Sequence, residues 1–291
     1  MTTATPLYPP PFIHSSLLEK TGGEAQDFII AGGKSTVVVG KSGIRFVFPA
    51  FSCQKNDGST YTGEIRLELT ELARKGEMIA AGMSNAAENH LHESILVFHL
   101  GLLTTEGESL RLQVPIEVAI PVDESRVNPL AFQLYSAGQS SIQSFTTASI
   151  LPDWRRAGTG KLILRRMNGH TYLQGLADHA GWWSCSTPLA LKGKQHMISA
   201  KCCFPHRFET GHVSAFLTFQ RANTVLRMHE GNRHFSSFNV PLKMPASILA
   251  FGQVGDKTYF CESPLNANQV FYYLYMQETD IPTLAEYLNK L

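Results

Sequence analysis

The sequence lacks an excess of charge of either sign. Its 291 residues include 25 Lys and Arg against 24 Asp and Glu, and no segment concentrates enough cations to follow a phosphate backbone. Nucleic-acid binding depends largely on such positive charge, so it is disfavoured here.

Long apolar runs and targeting signals are also missing. No apolar segment reaches the roughly 20 residues of a membrane-spanning helix, so no transmembrane segment is expected. Segment 1–12 is rich in proline and has neither the basic nor the apolar region of a secretory signal. The chain as given is therefore expected to be cytoplasmic.

Cysteine is scarce and its spacing is uninformative. There are five cysteines, Cys53, Cys185, Cys202, Cys203 and Cys261. An odd number with two adjacent members predicts no disulfide framework and is typical of buried free thiols. The patterns G-x-S-x-G, H-E-x-x-H and C-x-x-C are absent, which disfavours an enzyme without excluding one.

Three segments alternate apolar and polar residues with a period of two. They are 43–49, 63–70 and 114–121. Their apolar positions are Ile44, Phe46, Phe48, Ile65, Leu67, Leu69, Ile116, Val118 and Ile120. This period predicts antiparallel strands with one buried face and one face in water, as in a β-sandwich.

Two further segments are apolar at nearly every position. Residues 94–103 are predicted to form a strand buried on both faces, and residues 270–276 a central strand of a second sheet. The last segment has helical periodicity instead. Thr283 and Glu286 match a capping box, and Leu284 and Leu288 fall on one face.

These observations predict an all-β fold with two tandem β-sandwich-like modules. Residues 136–149 are rich in Ser, Gln and Thr, which favours a linker. The expected organisation is an extended N-terminal arm at 1–27, a first sandwich at 28–135, the linker, and a second β-rich module at 150–291 that ends in a helix at 283–291.

Turn glycines and strand ends resemble those of a known family. The first half carries Gly32-Gly33, Phe48-Pro49, Asp57-Gly58 and Val114-Pro115 around its alternating strands. The second half carries Gly181-Trp-Trp-Ser-Cys-Ser186, Val240-Pro241 and the C-terminal helix. Together these resemble the ZU5 domain, and more closely its relatives in surface-associated proteins of Bacteroidetes-type bacteria. Ser184 and Ser186 replace an Asn and an Asp of those relatives.

The resemblance implies a function in binding rather than in catalysis. ZU5 domains of eukaryotes are protein-interaction modules, and similar bacterial proteins are often exported. The expected function is therefore a non-catalytic binding or scaffolding protein with a protein or glycan partner and no cofactor. Trp183 is expected to be partly exposed, which makes it the candidate platform for a ligand such as a sugar ring, whereas Trp182 is expected in the core.

One alternative is a protein that cleaves itself. Some ZU5 proteins do so at His-Phe-Ser, and this chain has that tripeptide at His234-Phe235-Ser236. In this alternative, the Ser236 hydroxyl attacks the preceding carbonyl with help from His234. The segment Phe235, Phe238 and Val240 also predicts a strand, and a paired strand stores little of the strain that such cleavage needs.

A second alternative is a metal-dependent hydrolase. His90, His92 and Glu93 lie within four residues, and two imidazoles on one side of an extended segment suit Zn²⁺ or Ni²⁺. A structural metal at Cys202, Cys203, His206 and His212 is disfavoured, since adjacent cysteines on a strand face opposite ways. Gly33-Lys34-Ser35 lacks the first glycine of a phosphate loop and favours a turn before a strand.

Overall fold

The structure is a computed structural model. It describes residues 12–87, 90–125, 128–137, 153–158, 161–189, 197–205, 208, 213–231, 234–241, 244–266 and 268–291. Strands account for about 55% of it and helices for 11%, which confirms the all-β class with a C-terminal helix. None of the helices in these ranges has the length and apolar character needed to cross a membrane.

Two sheets form the first sandwich. In spatial order the seven-stranded sheet contains β1 (Gln26–Ala31), β5 (Glu64–Leu72), β7 (His90–Thr104), β14 (Gly181–Pro188), β10 (Gln133–Ala137), β11 (Trp154–Arg156) and β6 (Ala86–Ala87). The five-stranded sheet opposite contains β12 (Ile163–Met167), β13 (His170–Ala177), β9 (Ile116–Pro121), β3 (Arg45–Phe48) and β2 (Thr36–Val39). A short pair, β4 (Cys53–Gln54) and β8 (Arg111–Leu112), lies beside them.

Two more sheets form the second sandwich. One contains β17 (Val225–Arg227), β16 (Val213–Phe219), β20 (Ala246–Val254), β21 (Lys257–Pro264) and β23 (Gln277–Thr279). The other contains β18 (His229–Gly231), β19 (His234–Pro241), β15 (Met197–Cys203) and β22 (Phe271–Tyr273). The helices are α1 (Phe12–Thr21), α2 (Lys75–Ala80) and α3 (Ile281–Asn289), with a 3-10 helix at Pro129–Ala131.

The three alternating segments form strands as predicted. Strands β3 and β9 lie within 43–49 and 114–121, and β5 extends two residues beyond the predicted 63–70. The apolar residues of the three segments are buried. Residues 94–103 lie within β7, which contributes to cores on both of its faces. In these segments, the period of burial follows the period of the sequence because successive side chains of a strand point to opposite faces.

Buried apolar residues form three cores. The first core fills the first sandwich and includes Phe46, Leu67, Phe98 and Trp183. The second core fills the second sandwich and includes Cys202, Leu217, Phe235 and Tyr272.

The third cluster, the shared core, lies on the other face of the seven-stranded sheet. It joins side chains of α1, α2 and α3 to strands from both sandwiches, with Leu17, Met78, Trp182, Phe251 and Leu288 among its members. The two sandwiches are therefore connected by a common hydrophobic layer.

Trp182 and Trp183 are both buried, so the expected partial exposure of Trp183 is wrong. Neighbouring strand residues face opposite ways. Trp183 accordingly lies in the first core, stacked on Phe98 with ring centroids 6.5 Å apart, whereas Trp182 packs on His99 in the shared core at 5.0 Å. Because both faces of the sheet are covered, Trp183 has no exposed ring face on which a sugar could stack.

The strand pairing corrects the expected division at 136–149. Strand β14 pairs with β7 and β10, and β13 pairs with β9. Residues 154–188 therefore complete the first sandwich, although they follow the predicted linker. The physical reason is that β14 satisfies the backbone N–H and C=O groups on the edge of β7 that faces away from β5. Residues 138–152, most of the predicted linker, lie outside the described residues.

The expected extended arm at 1–27 is corrected over its second half. Residues 12–21 form α1 and residues 26–31 form β1, whereas residues 1–11 lie outside the described residues. Ile13 and Leu17 are one helical turn apart and both are buried in the shared core. This burial stabilises a helix in a segment whose short length gives it little helical stability of its own.

The C-terminal helix is confirmed, but its N-cap is Asp280 rather than the predicted Thr283. Asp280 caps α3, because its carboxylate accepts a hydrogen bond from the backbone N–H of Thr283 at 2.7 Å. Glu286 instead accepts from Lys290 Nζ at 2.6 Å. Leu284 and Leu288 are buried as predicted.

A close approach of α2 and α3 requires a glycine. A Cβ at Gly76 would lie 2.1 Å from the backbone oxygen of Leu288. Any other residue would push the helices apart, so Gly76 allows the last helix of the chain to pack on the first sandwich.

His14 of α1 connects three parts of the shared core. Its Nδ1 lies 2.8 Å from the carbonyl oxygen of Ala80, so Nδ1 must be the donor. Nε2 then accepts from the Ser214 hydroxyl at 2.9 Å. Burial lowers the pKa of His14 to about 4, with a further contribution from the nearby Arg227 guanidinium. The neutral imidazole therefore belongs to the folded state.

We expect Trp182→Ala to lower the free energy of unfolding by about 3–5 kcal/mol, the usual cost of emptying a large aromatic site in a core. Chemical denaturation monitored by circular dichroism measures this. Leu130→Ala is the control, since Leu130 is 76% exposed and should change the midpoint little. Equal midpoints for both variants would contradict the burial of Trp182.

We expect stability to fall on acidification through His14. Its pKa is about 4 in the folded chain and 6.5 in its ordinary state. Between these values the unfolded chain binds a proton that the folded chain does not, so stability is complete above pH 6.5 and is lost as the pH falls towards 4.

His14→Gln should therefore reduce the loss of unfolding free energy between about pH 7 and about pH 5 by about 1–2 kcal/mol. His170→Gln, at an exposed position of β13, is the control and should keep the wild-type dependence. Parallel pH profiles for wild type and His14→Gln would exclude this role.

Candidate binding surface

The strand β22 lies at the edge of the four-stranded sheet, so the predicted central strand at 270–276 is wrong. Among the described strands it pairs with β15 alone, in parallel, with Lys201 opposite Phe271 and Cys203 opposite Tyr273. The segment has apolar or aromatic residues at every position for two different reasons. One side faces the second core, and the other carries aromatic residues that are exposed to solvent.

Exposure alternates strictly from Phe271 to Met276. Tyr272, Leu274 and Met276 are buried in the second core. Phe271, Tyr273 and Tyr275 are 54%, 49% and 73% exposed. Alternate residues of an extended chain are roughly 7 Å apart, so the three exposed rings form a row, which we call the aromatic row. Within it, the rings of Tyr273 and Tyr275 meet edge to face at 5.1 Å.

The aromatic row is held on a fixed backbone. Lys201 N–H donates to the carbonyl of Val270 at 2.8 Å, and Leu274 N–H donates to the carbonyl of Cys203 at 2.9 Å. The Tyr272 hydroxyl accepts from the N–H of Asn266 at 2.8 Å and anchors the preceding turn. Rigid presentation of the rings lowers the entropy lost when a partner binds.

Further exposed residues extend the aromatic row across the sheet. Lys201 lies beside Phe271 in the register, and Phe238 of β19 and Met197 of β15 are 56% and 48% exposed. We call these outward side chains, together with the aromatic row, the open face. Single exposed apolar residues are ordinary, whereas a group on one sheet marks an interaction site.

The tripeptide His234-Phe235-Ser236 lies within β19, as the sequence predicts. Phe235 pairs with Cys202 on one side and with Glu230 on the other, and Ser236 pairs with Lys201 and His229. Among the described non-glycine residues, positive φ angles occur at Phe51 and Asn168, so the 235–236 region shows no left-handed backbone strain. The geometry is that of an ordinary paired strand.

The residues His90, His92 and Glu93 have different surroundings. His90 is exposed, whereas His92 is buried, with its Nδ1 3.3 Å from the Ser186 hydroxyl and its ring edge to face with Tyr135 at 4.7 Å. Glu93 accepts from the backbone N–H of Asn223 at 3.4 Å. In the part of the chain that the structure describes, no group of three His, Cys, Asp or Glu could hold a metal ion.

The other sequence candidates have structural roles. Cys202 is buried and Cys203 is partly exposed, on opposite faces of β15 as predicted, whereas His206 and His212 lie outside the described residues. Burial raises the pKa of Cys202 to about 12, so its thiol stays protonated at neutral pH. Gly33 lies in the turn before β2, as predicted.

The sequence reasoning missed the aromatic row because it treated 270–276 as uniformly apolar. The sequence nevertheless contains a pattern that indicates the aromatic row. Aromatic residues occupy every second position at 271, 273 and 275, and tyrosine suits a half-exposed position because its hydroxyl can stay in water.

No protein-family model matches the chain, and no curated protein sequence matches it.

We expect the purified protein to stay whole, since the peptide bond before Ser236 lies in a paired strand. Held at neutral pH, it should give a single intact mass near 32.2 kDa, and Ser236→Ala should leave this result unchanged. Two fragments divided between Phe235 and Ser236, abolished by the same substitution, would establish self-cleavage instead.

Proposed function

We propose that the protein is a non-catalytic binding or scaffolding protein and that its protein or glycan partner docks on the open face. The observation that carries this proposal is the aromatic row, in which two exposed rings lie on the edge strand β22 and the third, Tyr275, follows just after it. Aromatic faces supply large contact areas at low cost in side-chain entropy, and they suit both sugar rings and the apolar centre of a protein interface.

The composition of the open face supports the same proposal. It combines exposed rings at 271, 273 and 275 with Phe238, Met197 and one cation, Lys201. Apolar residues surrounded by a few polar ones are typical of docking surfaces.

The two catalytic alternatives have weaker support. Self-processing needs a strained peptide bond, whereas Phe235 and Ser236 are paired on both sides. A hydrolytic metal at His90 and His92 needs both imidazoles to face an open site, whereas His92 is buried against Tyr135 and Ser186. A ZU5-like relationship is part of the proposal, and the strands β3, β5 and β9 are consistent with it.

We expect the double substitution Tyr273→Ser and Tyr275→Ser to abolish partner binding, because it removes most of the aromatic row while leaving the buried residues of β22 unchanged. Wild type and variant, immobilised at equal density, are compared on a glycan array and against a lysate of the source cells. Ligands bound at least about tenfold more by wild type define the partner.

The matched control is Val37→Ser and Val39→Ser, two exposed apolar residues on the edge strand β2. This control variant should bind the partner as strongly as wild type does. Equal binding of every ligand by wild type and the tyrosine variant would overturn the assignment of the open face, and loss in the control variant would show that binding is not specific to it.

A further inference from the structure

An open cleft of about 380 Å³ lies where the first sandwich meets the second. One wall is the start of α2 and the two residues before it, and the other is the turn between β16 and β17. The lining residues are Ala73, Arg74, Lys75, Gln220, Arg221, Ala222, Asn223 and Leu291. Three of these side chains are cationic and none is acidic.

Two of the cations have no acidic partner. Lys75 Nζ donates one hydrogen bond, to the carbonyl oxygen of Phe219 at 3.0 Å, which leaves two protons for a ligand. No carboxylate of the described residues, that of Leu291 included, lies within 4.0 Å of Lys75 or Arg221. Within the described chain neither charge is therefore compensated by an ion pair, and the carboxylate next to the lining, that of Glu93, accepts from the backbone N–H of Asn223 at 3.4 Å.

The third cation is used differently. The Arg74 guanidinium pairs with Glu77 at 2.7 Å and also donates to the carbonyl oxygen of Thr21 at 2.8 Å. This pairing fixes its plane and neutralises its charge. The cleft thus offers two uncompensated cations beside one oriented guanidinium.

The walls of the cleft are connected by hydrogen bonds. The Asn223 side-chain amide donates to the carbonyl oxygens of Ala73 and Ser94, each at 2.8 Å. Glu77 accepts from the backbone N–H groups of Ala73 at 2.7 Å and Arg74 at 3.0 Å. These bonds fix the backbone segments that carry Lys75 and Arg221 relative to each other before a ligand arrives, which lowers the entropy cost of binding.

The titration of Lys75 is consistent with an anion site. Burial lowers the pKa of Lys75, since no nearby carboxylate offsets the cost of burying the ammonium group. A bound anion would supply the missing negative charge and raise this pKa again.

We propose that this cleft binds a phosphate monoester. Two uncompensated cations match a dianion, and a guanidinium group can bind two phosphate oxygens at once. The aliphatic lining at Ala73, Ala222 and Leu291 accommodates the organic part of the ester, and the volume falls within the roughly 300–1,000 Å³ of small-molecule sites. The phosphate belongs either to a free metabolite or to a phosphorylated side chain of a protein. This site is separate from the open face.

Calorimetric titration of the full chain at constant ionic strength tests the proposal. The probes are phenyl phosphate, inorganic phosphate, and a phosphoserine peptide with its unphosphorylated form. Arg221→Gln is the first variant because Arg221 is exposed and its loss should not affect folding. Lys75→Gln is the second. Each should weaken phosphate binding at least about tenfold, as expected for loss of a charge-assisted hydrogen bond.

Lys34→Gln is the matched control. Lys34 is exposed and carries the same charge. It follows Ala31, which pairs with Glu64 at the start of β5, whereas the cleft residue Ala73 follows the end of β5. The substitution should therefore leave the affinity unchanged. Tighter binding of the phosphoserine peptide than of phenyl phosphate identifies a protein source, and the reverse order identifies a metabolite. No heat of binding for any phosphate, or equal weakening by Lys34→Gln, would overturn the proposal.

Discussion

The seven-stranded sheet must be covered on both faces, and the rest of the structure depends on this requirement. Trp182 and Trp183 are consecutive residues of β14 that point to opposite faces, and both are buried. Each ring buries on the order of 150–250 Å², so leaving either face in water would be costly. The five-stranded sheet of the first sandwich covers the Trp183 face. The three helices and strands β16 and β20 cover the Trp182 face.

The sequence predicted those elements whose burial is decided locally. Strands β3, β5 and β9 each show apolar residues at every second position, and that period alone identifies which face is buried. The position of β14 between β7 and β10 could not be predicted in this way. It depends on pairing between residues about 85 positions apart along the chain, such as Trp183 with Phe98, and no local period encodes such pairing.

The helix α1 shows a different limit of local reasoning. Its segment follows a proline-rich stretch, and its helical form depends on burying Leu17 against residues of α2 and α3.

The candidate sites differ in the same way, since one is partly encoded by local sequence and the other is not. The aromatic row is encoded by the period of residues 271, 273 and 275, although its exposure depends on β22 being an edge strand. Lys75 and Arg221 are brought together by the fold alone, since 146 positions separate them in the printed sequence.

The contact between Gly76 and Leu288 has a consequence for how the protein is made. The first core contains residues between Ile30 and Cys185, so it can close while later segments are still being synthesised. The shared core needs α3, and therefore residues 281–289, before its layer is complete. Until the ribosome has released that helix, the Trp182 face of the sheet lacks part of its cover. Before residues 281–289 are available, the nascent chain thus presents an apolar surface on the Trp182 face of the sheet.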